Sequence, residues 1–121
     1  MLSQLGQIAM HVADLDRAVV FYRDTLQIPF LFQFPGLAFF DCGGVRLMLS
    51  LPESGSKPAG NSVLYFKVSD LQAETGMLAS RGVKLEGKPH LVAKLPDHEL
   101  WMAFFRDPDE NLLALMSEVR N

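Results

Sequence analysis

Apolar and polar positions alternate over residues 7–12. Ile8, Met10 and Val12 share one side, and Gln7, Ala9 and His11 share the other. That period of two predicts a strand with two unlike faces. The period then lengthens: Ala18, Phe21, Tyr22 and Leu26 fall at helical spacing, with Asp14 placed to cap the helix and Pro29 to end it. The same change of period recurs later. Val63, Tyr65 and Lys67 alternate with Leu64, Phe66 and Val68. Asp70 then caps a helix that buries Leu71, Thr75 and Leu78 and stops at Gly82. After each helix come three strand-like runs, near 30–34, 37–42 and 45–51 in the first half. In the second half they lie near 83–94 (irregular, with Pro89), 99–106 and 111–117. Asp41-Cys42-Gly43-Gly44 and Asp107-Pro108-Asp109-Glu110-Asn111 supply the turns between the last two strands of each half.

The two halves also match piece by piece. Val12-Ala13-Asp14-Leu15 returns as Val68-Ser69-Asp70-Leu71, and Ala38-Phe39-Phe40 as Ala103-Phe104-Phe105. Arg46-Leu47-Met48-Leu49-Ser50 pairs with Leu112-Leu113-Ala114-Leu115-Met116. The order is preserved, which favours duplication over chance. The reading is therefore α+β: two tandem βαβββ modules in one domain over 1–121. Module one covers about 1–52, a Pro-, Gly- and Ser-rich linker about 53–61, and module two about 62–121.

Composition narrows the function classes. The 121 residues are 49% hydrophobic and carry a formal net charge of −3. A chain of that length buries roughly two-thirds of its unfolded surface and needs no metal or disulfide to fold. The single cysteine, Cys42, excludes an internal disulfide and fits a reducing compartment. No basic run precedes an apolar core at the start, and no apolar stretch reaches the roughly 18 residues of a membrane span. The expectation is a cytoplasmic protein with no membrane partner. Mild acidity argues against nucleic acid as a partner.

The motifs Val12-Ala13-Asp14-Leu15-Asp16-Arg17-Ala18, Phe21-Tyr22-Arg23-Asp24-Thr25-Leu26 and Phe105-Arg106-Asp107-Pro108-Asp109-Glu110-Asn111, with the repeat, resemble the vicinal-oxygen-chelate superfamily of glyoxalases, bleomycin-resistance proteins and extradiol dioxygenases. That family's usual form of the last turn is Asp-Pro-Asp-Gly-Asn, so Glu110 stands where a glycine is expected. The resemblance covers essentially the whole chain and implies a curved mixed sheet with a cup-shaped cleft. It leaves function open, because the fold serves isomerases, dioxygenases, thiol transferases and drug-sequestering proteins.

In that family, metal ligands come from the first and last strands of the two modules. By resemblance the four positions here are Gln7, Met48, Val63 and Ala114, and only Gln7 is able to ligate a divalent cation. No cofactor is expected. The implied lining of the cleft is Gln7, His11, Met48, Ser50, Val63, Tyr65, Lys67, Ala114 and Met116. A largely apolar floor with scattered hydrogen-bonding groups suits an apolar or aromatic small molecule. The alternative is a metal-dependent lyase, isomerase or dioxygenase with displaced ligands drawn from His11, His90, His98 and Glu99. A third reading is an interaction module whose cup is vestigial. A homodimer is expected, since sheet edges need covering.

Single residues leave pairs of readings open. His11, the candidate catalytic residue, is either a polar handle or general base, or a strand-end histidine bonded to a neighbouring loop. Lys67 either binds an anionic substituent or is a solvated strand-end lysine. His90, Asp97, His98 and Glu99 form either a polar edge or a metal cluster, although neighbours such as His98 and Glu99 point to opposite faces of a strand. Arg106 and Asp107 read as a structural ion pair, and Cys42 as an inert thiol. Phe21, Phe39 and Phe104 read as core. Trp101 is either core or cavity rim, with an indole N–H in need of a partner.

Overall fold

The structure, a computed structural model, describes residues 1–52 and 61–120. The expected linker lies outside the described residues except for Asn61. The chain forms two compact units, Met1–Ser62 and Val63–Asn121.

Unit one runs β1 (Gln7–His11), α1 (Leu15–Val20), β2 (Phe30–Phe34), β3 (Leu37–Cys42) and β4 (Val45–Ser50), in the sheet order β1-β4-β3-β2. β1 lies parallel to β4, and the other pairs are antiparallel. Unit two runs β5 (Leu64–Lys67), α2 (Leu71–Ser80), β6 (Lys84–Leu85), β7 (His90–Lys94), β8 (His98–Arg106) and β9 (Leu112–Arg120). Its order is β5-β9-β8-β6, and β7 also pairs with β8. The irregular run of the sequence is thus two short strands, β6 and β7, separated at Gly87 (φ +85°) and Pro89. The class is α+β, with a mixed sheet in each module. Among the described residues no helix is long and apolar enough to cross a membrane.

The repeated Asp-Leu pairs do the same job twice. Asp14 Oδ1 accepts from the Arg17 N–H at 3.1 Å, and Asp70 Oδ1 from the Ala73 N–H at 3.0 Å. Each cap satisfies a backbone donor that the helix start leaves free, a contribution of about 1 kcal/mol. Leu71, Thr75 and Leu78 are the buried face of α2, as the spacing predicts.

The first helix ends differently from expectation. It gives way to a π-helical turn over Phe21–Thr25, where the Leu26 N–H donates to Phe21 O at 2.9 Å. Gln27 then turns the chain at φ +59°, and the Ile28 N–H donates to Tyr22 O at 3.0 Å. Termination therefore occurs two residues ahead of Pro29. The wider turn keeps both Phe21 and Tyr22 buried, and their rings meet edge-on at 5.5 Å. The Tyr22 ring lies 6.1 Å from Phe40, which meets Phe30 at 5.4 Å. With Met10, Val12, Leu47 and Leu49 these rings form the core between sheet and helix.

The turn after β8 is organised by Asp107, which is 3% exposed. Its Oδ1 accepts the N–H groups of Asp109 (2.9 Å) and Asn111 (2.8 Å), and Oδ2 accepts the Asn111 amide at 2.9 Å. Arg106 instead pairs with Glu86 at 2.9 Å and donates to Glu110 O, which corrects the expected Arg106–Asp107 ion pair. Glu110 sits at φ +65°, the left-handed region that favours glycine. The glycine expected from the resemblance is therefore a backbone requirement that Glu110 meets under strain. Glu110→Gly should raise stability by about 0.5–1 kcal/mol, less than the full left-handed penalty because glycine also loosens the unfolded chain. A thermal melt should show a rise of about 3 °C. A fall would mean that the exposed 3.9 Å Lys84–Glu110 contact matters more than backbone strain.

Candidate functional site

Each sheet has one face under its helix and one face free of it, and register decides which side chains reach the free face. In unit one, Gln7, Ala9 and His11 of β1 stand beside Arg46, Met48 and Ser50 of β4, while Ile8 and Met10 stand beside Leu47 and Leu49 on the helix side. Leu37, Phe39 and Asp41 of β3 join the free face opposite Ser50, Met48 and Arg46. Gln7 and Met48 come together as the sequence implied, with the Gln7 amide donating to Met48 Sδ at 3.8 Å. Ser50 shares this face with His11 but is 7% exposed. His11 is half-buried, and its backbone is held at both ends by Asn61, whose Oδ1 accepts from His11 N at 3.0 Å and whose amide donates to His11 O at 2.9 Å.

A feature the sequence reading missed dominates this face. β2 pairs Phe30 with Phe40, then slips so that Phe32 stands opposite Phe39 and Phe34 opposite Leu37. Strict alternation would point Phe32 the same way as Phe30, into the helix-side core. The irregularity adds one residue and turns Phe32 and Phe34 out beside Phe39. The three rings contact one another: Phe32–Phe39 at 4.8 Å, Phe32–Phe34 at 5.4 Å and Phe34–Phe39 at 6.3 Å. Phe32 is 42% exposed and Phe34 55%, whereas Phe39 is buried beneath them. Gln33 now points the other way, and its amide donates to Asp16 at 3.5 Å. Phe39 is therefore buried, as expected, but on the helix-free side, where it is the base of an aromatic surface. The guanidinium of Arg46 lies over the same ring, 5.9 Å from its centroid.

In unit two, Tyr65 and Phe104 flank Ala114 on the two neighbouring strands, and their rings meet at 6.0 Å. Ala114 is buried beneath them. His90 stacks on the other side of Phe104 at 6.1 Å, so Phe104, like Phe39, belongs to the helix-free face. Val63 precedes β5 on the same side as Tyr65, and Met116, half-buried, is opposite Lys67. Lys67 Nζ is 3.5 Å from Glu118, so its charge is already answered within the sheet.

The remaining polar candidates are engaged structurally. His98 Nδ1 is 2.8 Å from Asp97, whose other oxygen meets Arg120 at 2.6 Å. The bond to His98 is the main reason the Asp97 carboxyl is held below its ordinary value. Glu99 lies on the helix side and accepts the Trp101 indole N–H at 3.2 Å, which supplies the partner that residue needs. His90 stands opposite Met102, four residues along β8 from His98. Cys42 is half-buried, and burial, with the nearby Asp41 charge, pushes its thiol up, against a reactive thiolate.

The four implied metal positions carry one amide, one thioether and two hydrocarbon side chains. They do not fit a divalent cation that asks for imidazole, carboxylate or thiolate. Among the described residues no three His, Cys, Asp or Glu side chains form a group able to hold a metal ion.

Comparison with known proteins agrees with this architecture. The chain is 33% identical over 129 aligned positions to YraH, an uncharacterised protein of Bacillus subtilis strain 168, covering 93% of this chain and 96% of that one. An integron cassette protein from V. cholerae superposes with a TM-score of 0.79 at 21% identity, over 97% of this chain and 96% of the other. Lactoylglutathione lyase from Agrobacterium tumefaciens gives 0.77 at 21% identity, over 97% and 95%. These two likenesses establish the fold. Residues 4–115 match the sequence family itself. With the repeated capped helices and the Asp107 turn in place, the chain belongs to the glyoxalase/bleomycin resistance protein/dioxygenase superfamily.

Proposed function

We propose that this protein binds an apolar or aromatic small molecule on the helix-free face of its first module. The observation that carries the reading is the Phe32–Phe34–Phe39 surface, with two of its rings substantially exposed. Isolated exposed apolar residues are ordinary, but adjoining aromatic rings on one sheet face make a continuous apolar surface. A flat ring covering them gains burial and offset or edge-to-face contacts. Met48 offers an adaptable thioether beside them, and Gln7 a hydrogen-bonding group at the rim.

The test is a fluorescence titration with 2-naphthamide, a neutral bicyclic aromatic. Wild-type protein should show saturable binding, and the Phe32→Ala/Phe34→Ala double variant should bind at least about tenfold more weakly. Its melting temperature should stay close to that of the wild type, because neither ring lies in the helix-side core. No saturable binding by the wild type, or unchanged affinity in the double variant, would sink the reading.

A further inference from the structure

The aromatic surface has a cation, Arg46, beside it. Arg23 pairs with Asp24, Lys67 with Glu118, Arg106 with Glu86 and Arg120 with Asp97. Arg46 makes no ion pair among the described residues, although Asp41 is its direct cross-strand partner on the same face. The reason is local. Asp41 Oδ1 is taken by the Gly44 N–H at 2.9 Å, where its carboxylate closes the β3–β4 turn. The Arg46 guanidinium leans over Phe39 instead. Phe39 is thus touched by the two exposed rings and by Arg46, so an apolar platform and an ion-pair-free cation share one base. A guanidinium presents paired donors suited to a carboxylate or sulfonate, and its position over a ring leaves those donors free at its edge.

We propose that the ligand class of this face is a flat aromatic anion, with its ring packed on Phe32 and Phe34 and its acidic group bound by Arg46. This rests on the reading of the face as an aromatic binding surface and adds the charge that the ligand carries. Charge selection here runs against the net charge of −3 of the whole chain, so it has to come from a local cation. The Asp41 carboxylate opposes it in part, which sets the preference at a modest size.

The experiment compares 2-naphthoate with 2-naphthamide, nearly identical in shape, by calorimetry on the wild type, Arg46→Gln and Asp41→Asn. Naphthoate should bind the wild type about fivefold more tightly than the amide, with the preference fading in about 0.5 M salt. In Arg46→Gln the preference should vanish, the ratio of naphthoate to naphthamide affinity falling to about one. In Asp41→Asn, which keeps an acceptor for Gly44, naphthoate should bind more tightly still. Equal binding of both probes by the wild type overturns the charge assignment and leaves the aromatic surface standing. A preference that survives in Arg46→Gln overturns the role of that residue. Failure of both probes to bind overturns the aromatic surface itself.

Discussion

Phe40→Ala is expected to remove about 3–5 kcal/mol of stability, a large share of what a domain of this size possesses. Phe40 is fully buried, and its ring is held between Tyr22 on the π-helical turn and Phe30 on β2. Truncation removes the burial of a whole ring and leaves a cavity in a layer pinned by β3 on one side and the helix on the other. Relaxation there is limited, because Met10, Leu47 and Leu49 are already packed to zero or near-zero exposure. Urea unfolding of Phe40→Ala beside Phe32→Ala makes the comparison clean. The two residues lie close in sequence, but Phe32 stands on the free face and its loss should be worth under about 1 kcal/mol. Comparable losses in the two variants would mean that the division of β2 between two faces is wrong.

Asp107→Ala is expected to remove about 3 kcal/mol, an effect out of scale for a turn residue. One carboxylate receives two backbone N–H groups and a side-chain amide while itself 3% exposed. Alanine strands those donors where little water reaches them, and each unsatisfied group is worth about 1–3 kcal/mol. Part of that is recovered as the turn opens to solvent. Asp107→Asn retains an oxygen for the two backbone donors and should recover more than half of the loss. Thermal melts of the two variants decide the matter: about 10 °C lost in the alanine variant, with partial rescue by asparagine. Equal losses in both would show that negative charge, not acceptor geometry, organises the turn.

The scaffold was legible in the sequence because its signals are local or repeated. Asp14 and Asp70 are short-range caps whose partners lie three residues on, and the duplicated motif shows the same cap twice. The structure then pairs equivalent positions of the two modules, Ala9 with Met48 and Tyr65 with Ala114. The aromatic surface was not legible, for a physical reason. Phe30-Leu31-Phe32-Gln33-Phe34 offers phenylalanine at every second position, and alternation alone assigns all three to one face. The slip between Phe30 and Phe32 depends on pairing with β3, which no property of β2 itself announces. The helix end was misplaced for a related reason. Pro29 is a visible breaker, whereas the π-helical turn and the positive φ of Gln27 arise from burying Phe21 and Tyr22 together. Arg46 was not singled out because its side chain matters through its position over Phe39, a cross-strand contact that neither strand announces by itself.

The slip in β2 also bears on how such a surface diversifies. Point substitutions alter a binding face one side chain at a time and often trade against the core behind it. Here, strictly regular pairing of all five residues from Phe30 onward would rephase the outer part of the strand, withdrawing Phe32 and Phe34 from the free face and bringing Leu31 and Gln33 forward. A slip of one residue in pairing, confined to a sheet edge, would thereby exchange two exposed aromatic rings for Leu31 and Gln33. The side chains displayed on that face therefore depend on the register of one edge strand, while the caps, the Phe40 layer and the Asp107 turn stay as they are.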